Sequence, residues 1–553
     1  MAKRLAVVFL AVLFFVFSTG CGKKGASEKE GKTFVYQLTS NPSTLDPQIA
    51  SGEAAATVIT ALFEGLARQS EDGSAVPGAA ESWTNNADYT EFTFTLREGL
   101  VWSDGETPVT AADFVFAFRR ALDPATGSPT YSPMLCIQNA REVHAGELAP
   151  EELGVTAVDE RTLAVRLAYP VENFPALTAL PVFMPCNEKF FTETAGRYGL
   201  ERSTLLGNGP FVIDGKYGWD AGKYINVKGS SSYRGEAGAW PSNIKFYIGS
   251  QDIDTSNPLQ ALLDGTVDVI RLPSEQVEAA EQAGCGVIAF EDTTWGLCFN
   301  VNSEVGRSAS LRRAMLQCLD RAALLQYLPQ GASAAGGVVP PSSTLDGEPY
   351  RESAGSLSFP EAQDTGALLA QALQELGLEE APSVKILYPK DAQLDLMVNE
   401  ILKTWNSTFH TYYNMEALPE DELLSRVASG QFTVALCRIQ PETDGPYAAL
   451  SLFASAGKNP ANFEGSDFQA LLDSALSSGA LSSGALSSGA LSSGAQEQHA
   501  GTELYKQAEQ LLVDQGVFYP LYFQKHYYGT GERVEGLVIR SYGNGIDFIR
   551  AGK

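Results

Sequence analysis

Histidine is nearly absent from this chain of 553 residues. His144, His410, His499 and His526 stand far apart, and no H-E-x-x-H occurs, so the sequence offers no ligand set for a histidine-held metal. The seven cysteines include no C-x-x-C pair, which excludes a thioredoxin-like redox motif and a zinc knuckle. Basic residues are also short: 39 Lys and Arg face 66 Asp and Glu, for a net charge of −27. Such a chain does not attract a nucleic acid or an anionic membrane surface, and its acidity reads as a solubilising exterior. No G-x-G-x-x-G, phosphate loop or G-x-S-x-G occurs. One S-x-x-K, Ser242 to Lys245, lacks the S-D-N and K-T-G partners of a β-lactamase nucleophile and is a chance match. None of these residues points to an enzyme or to a cofactor.

The apolar run 5–17 has 13 residues, too few for a transmembrane helix, which needs about 20. Lys3 and Arg4 precede it, and Ser18-Thr19-Gly20-Cys21 follows. A basic start, a short apolar core and small residues ahead of a Cys resemble a bacterial lipoprotein signal, with Ser18 where that motif usually has Leu. Residues 1–20 are read as a signal peptide and Cys21 as the lipidated residue that holds the chain to the membrane. Residues 21–32, with Lys and Glu of mixed sign, form a tether too hydrophilic to pack. An ordinary secretory signal with an incidental Cys is the alternative.

Length and alternation are what the sequence has in quantity. Its size suits two or three core-bearing lobes rather than one domain. Residues 33–38 alternate, with Phe34, Tyr36 and Leu38 on one side, as a half-buried strand does. A rigid bend, Pro42-Ser43-Thr44-Leu45-Asp46-Pro47, leads to a loop containing Gly52 and then a helix from 55. Strand 92–96 passes through Trp102-Ser103-Asp104-Gly105 into a helix opened by Pro108 and Thr110 and stopped by Pro124. Phe114, Val115 and Phe118 share one side of it; Arg119, Arg120 and Asp123 face the other way. Strand 162–167 sets Leu163, Val165 and Leu167 against Thr162, Ala164 and Arg166. Residues 340–357 read as a long polar loop. From 364 to 438 helix and strand alternate, an α/β pattern. ALSSG then occurs four times over 475–494. Ser and Gly at three positions in five, with a period that tracks no helix face, predict a lengthened surface loop. Residues 516–528, GVFYPLYFQKHYY, read as a buried aromatic strand.

Several of these stretches carry a resemblance. LREGLVWSDGETPVTAADFVFAFRRALDP (96–124), STLDPQIASGEAAATVITALFEGLARQSEDGSAVPGAAESW (43–83), Gly207-Asn208-Gly209-Pro210 with its strand, and ALLDGTVDVIRLP (261–273) are similar, in order, to bacterial extracellular solute-binding protein family 5, the oligopeptide- and dipeptide-binding proteins of ABC importers. The resemblance implies an α/β, two-lobed periplasmic-binding-protein-like fold (type II, cluster C) with an extra α+β subdomain in the first lobe. On that pattern 33–63, 186–293 and 524–553 form the first lobe's core, 64–185 the extra subdomain, and 294–523 the second lobe, with the ALSSG loop at 475–495. It also implies a monomeric, non-enzymatic protein, without cofactor or metal, outside the cytoplasm at the cell surface or in the periplasm. Such a protein captures a peptide ligand between its lobes and hands it to a permease and its ATPase. Main-chain hydrogen bonds, as for an added strand, hold such a ligand.

In that family the loop after the L-D-P bend lines the cleft, which here implies Ser51, Gly52 and Glu53. FTVALCRIQPETDGPYAAL (432–450) falls without gaps on the family segment whose Asp binds the peptide's α-ammonium. Glu442 takes that position and Asp444 is its rival; a carboxylate there makes a charge-assisted bond to an amine. Arg438 and Gln440 of the same segment, with Tyr131 and Trp295, complete the implied ligand set. Some relatives carry one Cys in each of the strands around 295–302 and 432–442. Here Cys298 and Cys437 are displaced by three positions in opposite senses, which in antiparallel strands restores a facing pair and implies a Cys298–Cys437 disulfide. Cys136–Cys186 and Cys285–Cys318 are then left on order alone. Two other readings stay open: a non-peptide solute such as a metal chelate or haem on the same fold, and a peptide-sensing surface receptor.

Overall fold

The structure is a computed structural model that describes residues 33–553 apart from 71–72, 236–240, 250–252, 346, 361–364, 442, 455–458, 486–493 and 543–544, with backbone alone at 421, 477–485 and 494–500. Residues 1–20 read as a signal peptide, Cys21, the expected tether 21–32 and Glu442 lie outside the described residues.

One sheet of 12 strands runs through the molecule. Its spine is an antiparallel pair, Gly286–Phe299 and Phe518–Thr530, of 14 and 13 residues. At about 3.3 Å per residue, each spans roughly 45 Å, long enough to serve both lobes. In the first lobe Val269–Leu272, Thr33–Leu38, Asn243–Ile248, Tyr224–Gly229 and Phe211–Ile213 extend the sheet from the Phe518–Thr530 side. In the second, Val434–Ile439, Lys385–Pro389 and Asn414–Leu418 extend it from the Gly286–Phe299 side. The register slips twice near the crossing, between Glu291 and Thr293 and between Trp295 and Gly296. The first slip leaves Asp292 without a partner in the ladder. Sequence explains the second. Pro520, opposite Gly296, has no N–H for the ladder. A Cβ on Gly296 would stand 2.5 Å from the Tyr519 carbonyl oxygen, so only Gly permits the approach.

In the first lobe Phe34, Tyr36 and Leu38 are buried, as their alternation requires, and their strand lies parallel to Asn243–Ile248. A second sheet, Ala80–Asn85, Glu91–Leu96, Thr162–Arg166 and Val155–Ala157, is antiparallel throughout. Helix Ala111–Leu122 packs on it. The Thr110 N–H opens that helix by donating to the Asp113 carboxylate at 2.7 Å, and Phe114, Val115 and Phe118 are buried. Arg120 corrects the sequence reading. Asp113, Ala117 and Arg120, spaced i, i+4 and i+7, form a second buried stripe. The Arg120 guanidinium pairs with Asp46, donates to Gln48 Oε1 at 2.8 Å and lies over the Phe191 ring. The L-D-P bend and the helix, 74 residues apart, are thus locked by one buried pair.

In the second lobe Glu509 is wholly buried. It accepts the Val338 N–H at 2.7 Å, the Val339 N–H at 2.8 Å and the Tyr350 hydroxyl at 2.8 Å, and it pairs with Arg351. The stretch 340–357, read as an open polar loop, is therefore pinned to helix Gly494–Asp514 and carries its own short helix, Tyr350–Ala354. The ALSSG expectation is corrected for its first half, while residues 486–493 of the repeat lie outside the described residues. Helix Ser466–Ala485 continues through the first two repeats, and Gly494–Asp514 begins on the last residue of the fourth. Phe468 and Leu472 dock the helix before the repeat starts, so each further residue adds to an existing nucleus. Ala and Leu favour continuation, and one Gly in five costs only about 1 kcal/mol.

All six described cysteines are unbridged, including Cys136, Cys186, Cys285 and Cys318. The two strands are antiparallel, but Cys298 faces Ala435 and Cys437 faces Gly296. The implied Cys298–Cys437 disulfide is replaced by two buried thiols on a diagonal, and diagonal positions stand farther apart than the Cβ separation of about 4 Å that an S–S bond needs. Burial pushes the Cys298 thiol well up, and its hydrogen bond with Cys437 adds to that.

Two measurements test this fold. Arg120→Met leaves Asp46 buried and unpaired, and we expect a loss of about 3–5 kcal/mol in urea unfolding; an unchanged midpoint would show that the pair locks nothing. Thiol titration of protein lacking residues 1–21, denatured without reductant, should find all six cysteines free. A count two short would restore a disulfide.

Candidate functional site

Helix Glu53–Leu62 starts beside the first lobe's sheet, with Gly52 ahead of it at φ 85°. Ser51 and Gly52 are exposed. Glu53 is not free: its carboxylate accepts the Tyr36 hydroxyl at 2.6 Å and the Thr39 hydroxyl at 3.2 Å. The Tyr528 hydroxyl bonds to it as well. Burial pushes the Tyr36 and Tyr528 hydroxyls up, and the Glu53 charge adds to that, so both stay protonated donors. Glu53 therefore orders the 51–53 loop over the long strand.

On the second lobe, Trp295 is only 4% exposed. It stacks on Tyr522 and donates Nε1–H to Gln524 Oε1 at 2.6 Å. The structure thus places it in the wall's packing rather than at an open surface. Arg438 stands opposite Trp295, with its Nε 2.7 Å from Glu420 Oε1 and Nη1 bonded to Gln440. Arg438 and Gln440 are brought together, while Asp444 is engaged elsewhere. Asp444 accepts the Thr344 N–H at 2.8 Å, the Thr344 hydroxyl at 2.5 Å and the Gly445 N–H at 2.6 Å. It staples two loops, with three of the roughly four acceptor sites of its carboxylate already taken.

Tyr131 belongs to the antiparallel subdomain, where it stacks on His144 with centroids 3.7 Å apart. Its neighbours reach the second lobe. Ser132 Oγ lies 3.4 Å from Thr443 Oγ1, and Arg141 Nη1 lies 2.6 Å from Asp473 Oδ1. The 131–141 stretch therefore meets Thr443 and Asp473 of the second lobe.

Sequence reasoning missed the polar group at the strand crossing. Asp292, the residue outside the ladder, is buried; its Oδ1 lies 2.6 Å from His526 Nδ1 and accepts the Thr293 hydroxyl at 2.9 Å. The Ser343 and Tyr542 hydroxyls lie 3.3 Å apart, and Asp292 and Asp444 both influence Tyr542. Arg271, on Val269–Leu272, stands opposite Tyr528 and within electrostatic reach of Glu53 and Asp292. Charged residues inside otherwise apolar strands were the available signal. Among the described residues no group of three or more His, Cys, Asp or Glu side chains is arranged to hold a metal ion.

The family model described as bacterial extracellular solute-binding proteins, family 5 Middle, matches residues 74–461. Dipeptide-binding protein DppE of Bacillus subtilis (strain 168) is 24% identical over 524 residues, covering 94% of this chain and 92% of its own. The probable deoxycholate-binding periplasmic protein YgiS of Escherichia coli (strain K12) is 26% identical over 508 residues, covering 89% of this chain and 88% of its own. Among solved structures, Listeria monocytogenes OppA bound to peptide is 22% identical and superposes with a TM-score of 0.75, covering 94% of this chain and 99% of that one. Matched over more than half its length and folded as two lobes on one pair of strands, the chain belongs to the bacterial extracellular solute-binding proteins of family 5.

Proposed function

We propose that this chain captures oligopeptides outside the cytoplasm and delivers them to the permease and ATPase of an ABC importer, with no turnover of its own. The main support is the paired strands Gly286–Phe299 and Phe518–Thr530, which carry the 51–53 loop on one lobe and the 438–444 segment on the other. Two lobes on such a spine can rotate about it, and a ligand touching both favours the closed form. The register slip that leaves Asp292 outside the ladder and sets Thr293 opposite Gln524 supports a division of the lobes at 293–294 and 523–524. Glu442 is assigned to the ligand's ammonium by its place in the family segment. Cys21 is assigned to a lipid anchor, and the protein works as a monomer.

Native mass spectrometry of gently purified protein lacking residues 1–21 should release a ladder of mixed short peptides. A single non-peptide mass, such as a sterol acid, would overturn the reading and favour a narrow-ligand protein, a chemistry that one relative's name carries. Glu442→Gln should weaken binding of free-amine peptides by about tenfold or more and leave N-acetylated ones unchanged. For the anchor, Cys21→Ser should move the protein from the membrane to the soluble fraction; retention at the membrane would remove that assignment.

A further inference from the structure

The lobes also meet away from the paired strands. Arg141 stands on the short helix Ala140–His144, whose Ala140 and Val143 are buried in the first lobe's core. Asp473 stands on helix Ser466–Ala485, whose Phe468 and Leu472 are buried in a separate core of the second lobe. The two residues are 332 positions apart in the chain, and Arg141 Nη1 lies 2.6 Å from Asp473 Oδ1. Gln469, one turn earlier on the same helix, steadies Asp473 by donating Nε2–H to that oxygen at 3.2 Å. Arg141 is within electrostatic reach of Tyr131 and Tyr169 on its own lobe and of Tyr447 on the other, and Tyr131 is braced by its stack on His144. Ser132 Oγ and Thr443 Oγ1, 3.4 Å apart, add a second cross-lobe contact. The buried ion pairs described above, Arg120 with Asp46 and Arg351 with Glu509, lie within one lobe.

Rotation about the paired strands moves the lobes as bodies, so a contact off those strands forms only as the lobes close. Carboxylates outnumber cations 66 to 39 in this chain, and two acidic bodies repel as they approach. Arg141 sets a cation against a carboxylate at the point of approach, and the partner of each charge is protein. We propose that Arg141 and Asp473 form a latch that holds the lobes together independently of any ligand. The two side chains are 37% and 43% exposed, so the latch is weak and releasable, shifting the balance of closed and open forms by up to about fivefold. A ligand that needs the closed form gains by its being populated, and every ligand gains by the same factor whatever its chemistry. The latch therefore sets overall affinity and leaves specificity untouched. It rests on the rotation of the lobes about their shared strands and not on the peptide reading.

The test is a lobe-to-lobe distance distribution, measured by double electron–electron resonance on protein lacking residues 1–21, freed of ligand by dialysis from urea and refolded. Spin labels go at Glu147→Cys on the first lobe and Asn399→Cys on the second, both exposed positions, with the half-buried Cys318 replaced by Ser. The native pair is compared with Arg141→Glu, Asp473→Arg and the two together, in 0.01 M and 1 M NaCl. At low salt each single variant should lower the ratio of closed to open distances by about two- to fivefold, and the double variant, which swaps the charges, should restore it. In 1 M NaCl, where the screening length is about 3 Å, the four should converge. Single variants that leave the distribution unchanged would overturn the latch. So would a charge swap that stays as open as the single variants, or differences that persist in full at 1 M NaCl, because the residues then act through packing. Should a charge reversal prevent folding, Arg141→Gln and Asp473→Asn take its place: each must open the lobes, and the two together no further than either alone. A protein that binds no peptide at all still passes or fails this measurement, so the latch and the peptide reading fall separately.

Discussion

Two long strands, paired from end to end except at two slips of register, are the constraint on which this molecule depends. Each lobe's sheet grows outward from a different half of that pair and from a different member of it. The lobes consequently share backbone rather than merely touching. Any motion between them must be absorbed within a few residues, and the chain provides for this with Asp292 outside the ladder and with Gly296 opposite Pro520. Both devices weaken the ladder locally while leaving its ends intact.

Around that weak point the polar side chains divide into two classes. Glu53, Asp292, Asp444 and Arg438 are bound by other protein groups and hold loops in place. Arg271 is held on an aromatic ring and, among the described residues, makes no hydrogen bond or ion pair. In an acidic protein, where carboxylates outnumber cations 66 to 39, an unpaired cation so close to two carboxylates is not a product of scarcity. Its neighbours have been satisfied by hydroxyls and a histidine instead.

Local pattern made much of the fold legible. The alternation of Phe34, Tyr36 and Leu38, the stripe of Phe114, Val115 and Phe118 and the Thr110 start of that helix need only neighbouring residues to be read. What failed depended on distant partners. Arg120 looks like a solvent-facing residue until Asp46, 74 positions away, is brought beside it. The cysteine pairing failed by a single diagonal step, because register is set by the whole strand and not by two residues in it. The repeat was misread because composition was weighed without the docked helix that precedes it. For a site, the resemblance pointed to the 51–53 loop and the 438–444 segment. Arg271 and Asp292 were not, since a charge inside a strand acquires meaning only from the strand laid next to it.

The chain order of the sheet has a consequence for how the protein is made. Phe518–Thr530, nearly the last strand synthesised, lies in the middle of the sheet, between Gly286–Phe299 and Val269–Leu272. Until it arrives, each half exposes an unsatisfied interior edge, the kind of surface on which chains aggregate. A chain synthesised from its N-terminus thus emerges almost whole before either lobe can close. Its safe assembly is a race between insertion of one late, aromatic strand and the capture of those edges by other chains.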